Sequence, residues 1–214
     1  MQTNTYKVIP AGIYGHLGPG EGCFMPVSSY PLFVDHADGA YVWDVDGNRL
    51  IDYMCAYGPN ILGYNDPDVD AAAMAQMKKG NCTISPSTLM VELAELLVDT
   101  IAGADWAFFA KNGGDTTSLA VMTAKAATAR EKIVMFSGGY HGVAPWTQKL
   151  GYPGITEADV SNNLMTTFGD YEALEKLVKE HKGEIAGLIA TPYHHPIFED
   201  NQTPPEGYWD KVRK

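Results

Sequence analysis

From about residue 105 onward, short apolar runs alternate with segments that carry a helical pattern. The predicted strands and helices cover residues 106–110 (strand), 116–129 (helix), 132–136 (strand), 164–168 (strand), 170–181 (helix) and 185–190 (strand). Such alternation requires right-handed crossovers and is typical of a mainly parallel sheet in an α/β domain. Ligands of these sheets bind at the carboxyl ends of the strands, so the loops there are the first candidates for function.

Two of those loops are rich in glycine. Asn112-Gly113-Gly114 follows the first predicted strand and leads into a helix, and Ser137-Gly138-Gly139-Tyr140-His141 follows the second. The start of a helix presents unpaired backbone N–H groups and the positive end of the helix dipole to an anion. The two loops therefore suggest a phosphate cradle beside an aromatic side chain. A purely structural turn remains the alternative for the first loop, which matches neither a Walker loop nor a GxGxxG fingerprint.

The chain before residue 105 has a different organisation. Residues 1–30 predict an irregular N-terminal arm, and residues 31–104 predict a small region with a β-meander and two helices. The meander is indicated by Asp38-Gly39 and Asp46-Gly47, which separate short β-rich runs. Residues 105–214 then form an incomplete ligand-binding domain, because a parallel sheet of this size is short of strands. We expect another chain to complete the sheet, or the sequence to be a fragment.

Composition excludes several classes of function. The net charge of −11 argues against nucleic acid or an anionic membrane as a partner. No apolar run is long enough to span a bilayer, and three widely spaced cysteines support neither a disulfide framework nor a zinc knuckle. We therefore expect a cytoplasmic protein. Adjacent histidines at His194 and His195 point to opposite faces of a strand, which favours a polar pocket rim over a metal site.

A series of short motifs runs along nearly the whole chain from about residue 25. They are Pro31-Leu32-Phe33, Asp38-Gly39-Ala40-Tyr41, Trp43-Asp44-Val45-Asp46-Gly47-Asn48, Ile51-Asp52-Tyr53, Gly58-Pro59, Leu62-Gly63-Tyr64-Asn65-Asp66-Pro67, the turn at 112–117, Ala127-Thr128-Ala129-Arg130 with Lys132-Ile133, and Tyr140-His141-Gly142. In this order they resemble the class III, pyridoxal-phosphate-dependent aminotransferases, most closely the glutamate-1-semialdehyde aminomutase-like branch. Each motif is weak alone, but together they are specific.

The resemblance implies a fold-type-I transferase that uses pyridoxal 5′-phosphate (PLP). The chain would supply its N-terminal segment and the first part of the large-domain parallel sheet. It also implies that Asn112, Gly113 and Gly114 hold the phosphate of the coenzyme, that Tyr140 stacks on the pyridine ring, and that His141 lies beside it. Stacking requires a flat face at a fixed height, and the glycines before Tyr140 allow the backbone to come that close.

Two positions depart from the family pattern. Gly114 replaces a residue that usually carries a hydroxyl group, so the phosphate would depend on main-chain donors or on Thr116 or Thr117. Thr191 replaces the usual glutamate after the last predicted strand, which changes how the substrate's amino or carboxylate end is handled. The resemblance also places Tyr57 on the substrate side, with an ordinary packing role as the alternative.

The lysine that anchors the coenzyme in this family has no match here. Lys125 and Lys132 are interpreted as solvated charges, and Lys111 could touch the phosphate at most. In the family the lysine and the acid that faces the pyridine nitrogen come later in the chain. We therefore assign no catalytic residue and expect a complementary C-terminal chain to carry the lysine.

The expected function is the N-terminal half, or subunit, of a PLP-dependent aminotransferase or aminomutase that acts on an amine or amino acid. The resemblance implies a dimer of heterodimers. The alternative is a non-catalytic module, an aminotransferase remnant that binds a phosphate ligand or pairs with a full-length relative. The amino donor, the acceptor and the choice between transamination and amino migration stay open.

Overall fold

The computed structural model describes residues 33–80, 83–195 and 200–214, and the chain divides into two compact units, Met1–Leu93 and Ala94–Lys214. The predicted arm at 1–30 lies outside the described residues. The domain limits expected from the sequence stay a prediction.

The first unit contains the predicted meander. Strands β1 (Val34–Asp38), β2 (Tyr41–Asp44) and β3 (Arg49–Ile51) pair antiparallel in that order. The turn glycines have positive φ values of 52° at Gly39 and 84° at Gly47, a conformation in which a β-carbon is strained. The two Asp-Gly pairs therefore lie where the chain reverses, as expected.

Two helices follow the meander. Helix α1 spans Pro67–Met77, and the Asp66 carboxylate accepts hydrogen bonds from the backbone N–H groups of Asp68 and Val69 at 3.1 and 3.0 Å. An acidic cap followed by proline in the first turn is a favourable start for a helix. Helix α2 spans Thr88–Thr100, and neither helix has a buried residue.

The second unit is an α/β arrangement with a parallel sheet. Its elements are α3 (Gly113–Thr128), β4 (Lys132–Phe136), α4 (Glu157–Val160), β5 (Asn163–Thr166), α5 (Tyr171–Glu180), β6 (Ile185–Ile189) and α6 (Tyr208–Val212). The strands are ordered β5-β4-β6 and β4 pairs parallel with both neighbours. Its core is formed by Val121, Ile133 and Met135, against which Trp146 and Ile189 pack.

One predicted strand is wrong. Residues 106–110 form no strand, and Trp106 and Phe108 are 67% and 59% exposed. A strand exists through pairing, and none of the described strands pairs with this segment, so its apolar composition alone does not make it one. The helix predicted to begin at Thr116 begins at Gly113, so the glycine turn is itself the first turn of α3.

No helix among the described residues is both long and apolar enough to cross a membrane.

Candidate functional site

The first half of the candidate site is the start of helix α3. The Asn112 side chain accepts a hydrogen bond from the backbone N–H of Asp115 at 2.9 Å, and its amide donates to the Asp115 carboxylate at 2.9 Å. The N–H of Thr116 donates to the Asn112 carbonyl at 3.2 Å. The N–H groups of Gly113 and Gly114 have no acceptor within the helix, because they belong to its first turn, so they are the donors that a helix start offers to an anion.

The hydroxyl groups of the two threonines after the turn are directed to the backbone. The Thr116 hydroxyl donates to the Asn112 carbonyl at 3.0 Å. The Thr117 hydroxyl lies 2.8 Å from the His141 carbonyl and 3.0 Å from the Gly114 carbonyl, so its one hydrogen is shared between them. Because both hydrogens are engaged, the main-chain donors are the better candidates to replace the hydroxyl absent at position 114.

The contact of Thr117 with His141 joins the two predicted loops. A further close approach occurs at Gly142, where an added β-carbon would lie 3.0 Å from the Gly114 Cα. The φ of Gly142 is +108°, a second reason for glycine there. The structure thus places the start of helix α3, which carries Asn112, Gly113 and Gly114, next to the loop that carries His141.

Tyr140 and His141 differ sharply in exposure. Tyr140 is 56% exposed, which leaves its ring accessible, whereas His141 is 6% exposed. Burial disfavours the charged imidazolium and lowers the pKa of His141, so the ring is neutral near pH 7. Its Nε2 atom is buried and has no hydrogen-bond partner among the described residues.

The glycines before Tyr140 are needed for contacts that the sequence did not indicate. An added β-carbon on Gly139 would lie 3.1 Å from His141 Nε2, and one on Gly138 would lie 3.1 Å from His194 Cε1. His194 is therefore a neighbour of the second loop. Sequence reasoning placed it on a polar pocket rim but gave no signal for this contact, which joins residues far apart in the chain.

Lys132, one of the lysines considered from the sequence, does not lie at the cradle. Lys132 is the first residue of β4, so it lies at the end of the strand away from the loops. Its Nζ lies 2.6 Å from the Glu184 carboxylate and 3.1 Å from His181 Nδ1, and this ion pair lowers the pKa of Glu184. The interpretation of Lys132 as a solvated charge is wrong, because its side chain is paired and 24% exposed.

Tyr57 belongs to the first unit, and its substrate role stays a prediction. It is 53% exposed and ends a turn in which Cys55, Ala56 and Tyr57 all have positive φ values, of 47°, 50° and 65°. The Asp52 carboxylate supports the turn, since it accepts hydrogen bonds from the backbone of Cys55 and from the Tyr64 hydroxyl at 3.2 and 2.7 Å. Left-handed backbone outside glycine is often found at functional positions.

The part of the chain that the structure describes contains no group of three or more His, Cys, Asp or Glu side chains that could hold a metal ion.

Comparison with known proteins identifies similarity to aminotransferases. A family model described as aminotransferase class-III matches residues 24–150. The chain is 43% identical over 200 residues to aminopentol aminotransferase of Sphingopyxis macrogoltabida, covering 94% of this chain and 46% of the relative. It is 34% identical over 211 residues to 3-aminobutyryl-CoA aminotransferase of Cloacimonas acidaminovorans (strain Evry), covering 97% of this chain and 49% of the relative.

Among solved structures, the chain resembles the PLP internal aldimine form of the FumI protein of Sphingopyxis sp. MTA144. The TM-score is 0.91 at 40% identity, covering 99% of this chain and 50% of that one. The chain therefore has the fold of type-I PLP transaminases, and it spans about half the length of the relatives that it matches.

Proposed function

This chain belongs to the class III aminotransferase family, and we propose that it is the N-terminal half of a PLP-dependent aminotransferase or aminomutase. It would hold the coenzyme, while a complementary C-terminal chain carries the lysine that anchors it. The observation that supports this assignment best is the junction of Thr117 with His141, which joins the start of α3 to the loop that carries Tyr140.

The residues present fit the coenzyme. Gly113 is exposed and Gly114 is partly exposed, which leaves room for a phosphate to approach the backbone donors at the helix start. The Tyr140 ring is accessible, and His141 offers a buried nitrogen without a partner among the described residues. When bound, PLP supplies an electron sink for the α-carbon of an amino substrate.

Each candidate site residue of this chain then has one role in binding the coenzyme. The N–H groups of Gly113 and Gly114, with the dipole of α3, bind the phosphate. Asn112 fixes the geometry of those donors by capping the helix, and Tyr140 covers one face of the coenzyme ring. His141 is neutral near pH 7, so it contributes a hydrogen-bonding nitrogen rather than a charge. None of them anchors the coenzyme covalently.

The sheet and the family suggest the partner. The apolar segment at 106–110 lacks a paired strand in the described structure, and β6 has one neighbour in the sheet. We propose that strands of the complementary C-terminal chain pair with these edges, and that two such pairs form a dimer of heterodimers. The substrate would be an amine or amino acid.

A second candidate function is a non-catalytic module that binds a phosphate ligand. It is favoured by Gly114 and Thr191, which depart from the residues usual in the family. The Thr191 hydroxyl donates to the Tyr193 carbonyl at 2.7 Å, so it has a structural task in place of the missing carboxylate.

The deciding experiment compares the chain alone with the chain mixed with its complementary C-terminal chain. Each is incubated with PLP, treated with borohydride to trap covalently attached coenzyme, and analysed by peptide mass spectrometry. We expect no label on the chain alone, and in the mixture a label on a lysine of the complementary chain. A Lys111→Ala variant serves as the control and should behave like the unsubstituted chain.

Two results would contradict the proposal. A borohydride-stable label on a lysine of this chain would move the covalent anchor here. Absence of a label in the mixture, while the chain still binds PLP reversibly, would favour the non-catalytic module.

A further inference from the structure

We propose that His194 is a positioning residue for the ring-binding face of the coenzyme site, where it supports the loop that carries Tyr140. The inference rests on the proposed function, because it assigns His194 a task in holding the tyrosine that covers the coenzyme. Its imidazole acts as a flat packing surface behind the glycine turn.

The contact with the loop is close. An added β-carbon on Gly138 would lie 3.1 Å from Cε1 and 3.2 Å from Nε2 of His194, which is tighter than ordinary van der Waals contact. Gly138 also has a φ of +82°, and two residues later the chain reaches Tyr140. The imidazole therefore limits how far the turn can move toward it.

The imidazole also stacks on a second ring. The rings of His194 and Phe168 are stacked, with centroids 5.5 Å apart and an angle of 26° between the planes. Phe168 packs in turn on Phe136, the last residue of β4, with centroids 5.4 Å apart. Because Phe136 is 3% exposed, the stack connects His194 to the buried part of the sheet.

The backbone on both sides of His194 is fixed. Its N–H donates to the Gln202 carbonyl at 2.8 Å, and its carbonyl accepts from the Gln202 N–H at 2.7 Å. The Trp209 indole donates to the Pro192 carbonyl at 3.0 Å. A side chain whose backbone is hydrogen-bonded and whose ring is stacked can hold a neighbouring loop in place, whereas an exposed side chain without such contacts cannot.

The neighbouring histidine, His195, is more exposed and provides a matched control. His195 is exposed, and its ring contacts Tyr193 with centroids 5.7 Å apart. Both histidines have the same chemistry, so a difference between their variants reports position and not imidazole chemistry in general.

The experiment measures PLP binding to the protein assembled with its complementary C-terminal chain. For His194→Ala we expect an affinity loss of about three- to tenfold, the order expected when an aromatic stack is weakened. The visible circular dichroism of bound PLP, which reports the orientation of its ring, should weaken as well. His194→Phe keeps a flat ring and should restore both signals, and His195→Ala should change neither.

A double-mutant cycle tests the contact without the coenzyme. Gly138→Ala alone should lower the urea midpoint, because φ is positive and the new methyl group collides with His194. In combination with His194→Ala the loss should be smaller than the sum of the single losses, since the collision is relieved.

The outcomes separate the two proposals. If the unsubstituted assembly takes up no PLP, the proposed function fails, and the cycle alone still decides whether His194 limits the turn. If PLP binds normally and His194→Ala equals His195→Ala, or if His194→Phe gives no rescue, the positioning role of His194 is overturned. An additive cycle overturns it too.

Discussion

Strand β4 and helix α2 are both rich in apolar side chains, yet their burial differs completely. In β4, Ile133 and Val134 are 2% and 1% exposed. In α2, Leu93 and Leu96 are 45% and 61% exposed, and no residue of the helix is buried. The backbone edges of strand β4 are paired with a strand on each side, and Val121 of helix α3 packs with its Ile133 side chain.

An apolar pattern in the sequence specifies a helix or strand and its apolar face, but it does not specify what covers that face. The leucines of α2 recur at helical spacing, and the segment forms a helix over Thr88–Thr100. Whether such a face is buried depends on surfaces elsewhere, which periodicity does not report. The same holds for the segment at 106–110, whose composition suits a strand that has no described pair.

The largest effect on stability is expected from a substitution in the buried strand β4. Ile133→Ala should lower the free energy of unfolding by about 2–5 kcal/mol, because it removes buried methyl groups and leaves a cavity. Leu96→Ala is the control and should cost less than about 0.5 kcal/mol if the helix stays exposed. Urea unfolding of the chain measures both. A cost for Leu96→Ala that rises when the complementary chain is added would show that the partner covers α2.

The next prediction compares two threonines of helix α3. Thr117→Val removes the donor to the His141 carbonyl, and an unsatisfied acceptor costs about 1–3 kcal/mol. Because the bond joins the two loops of the site, PLP affinity should fall by about tenfold. Thr123 donates to the Leu119 carbonyl at 2.8 Å within the same helix, and Thr123→Val should leave affinity unchanged. Equilibrium dialysis measures the PLP affinity of both variants. An equal loss of affinity in Thr117→Val and Thr123→Val would show that the bond to His141 has no part in PLP binding.

A third prediction compares two helix caps. Asn112→Ala and Asp170→Ala each remove a side-chain acceptor for a backbone N–H, 2.9 Å away in both cases. Each should cost about 1 kcal/mol of stability. Only Asn112→Ala should also weaken PLP binding, since α3 and not α5 is assigned to the phosphate. Thermal unfolding and PLP titration together distinguish the two tasks, and weakened binding in both variants would contradict the assignment.

The smallest expected effect lies in the first unit. The Tyr64 hydroxyl lowers the pKa of Asp52 by donating a hydrogen bond to the charged carboxylate. A lowered pKa contributes stability above the unfolded-state value of about 4 and loses it as pH falls through the folded-state value. Tyr64→Phe should therefore cost about 0.5 kcal/mol at pH 7, because the pair is accessible to solvent.

At acidic pH the loss of unfolding free energy caused by Tyr64→Phe should be smaller, because a protonated Asp52 no longer gains from the charge-assisted hydrogen bond. Urea unfolding at neutral and acidic pH checks this. A difference that stays constant with pH would assign the effect to packing and not to the carboxylate.

Much of the fold could be predicted from local chemistry. The Asp-Gly turns separate the strands of the meander and β4 spans the expected residues. Asp66 and Asp170 cap their helices through backbone N–H groups two or three residues away. The cradle residues could be named because the glycines follow a strand-like run and begin a helix. These features depend on neighbours within a few residues, which a single sequence displays.

Contacts between residues that are distant in the chain could not be predicted from the sequence. The Thr117 bond to His141, the approach of Gly142 to Gly114, and the contact of His194 with Gly138 each join residues separated by many positions. The same is true of the pair formed by Lys132 and Glu184.

Local patterns of this chain established its helices, turns and family, because capping, periodicity and backbone restriction act over one or two turns. Tertiary folding decided which loops meet, which histidine is buried and which apolar faces are covered. Those outcomes depend on contacts between distant segments, whose geometry no short stretch of sequence contains.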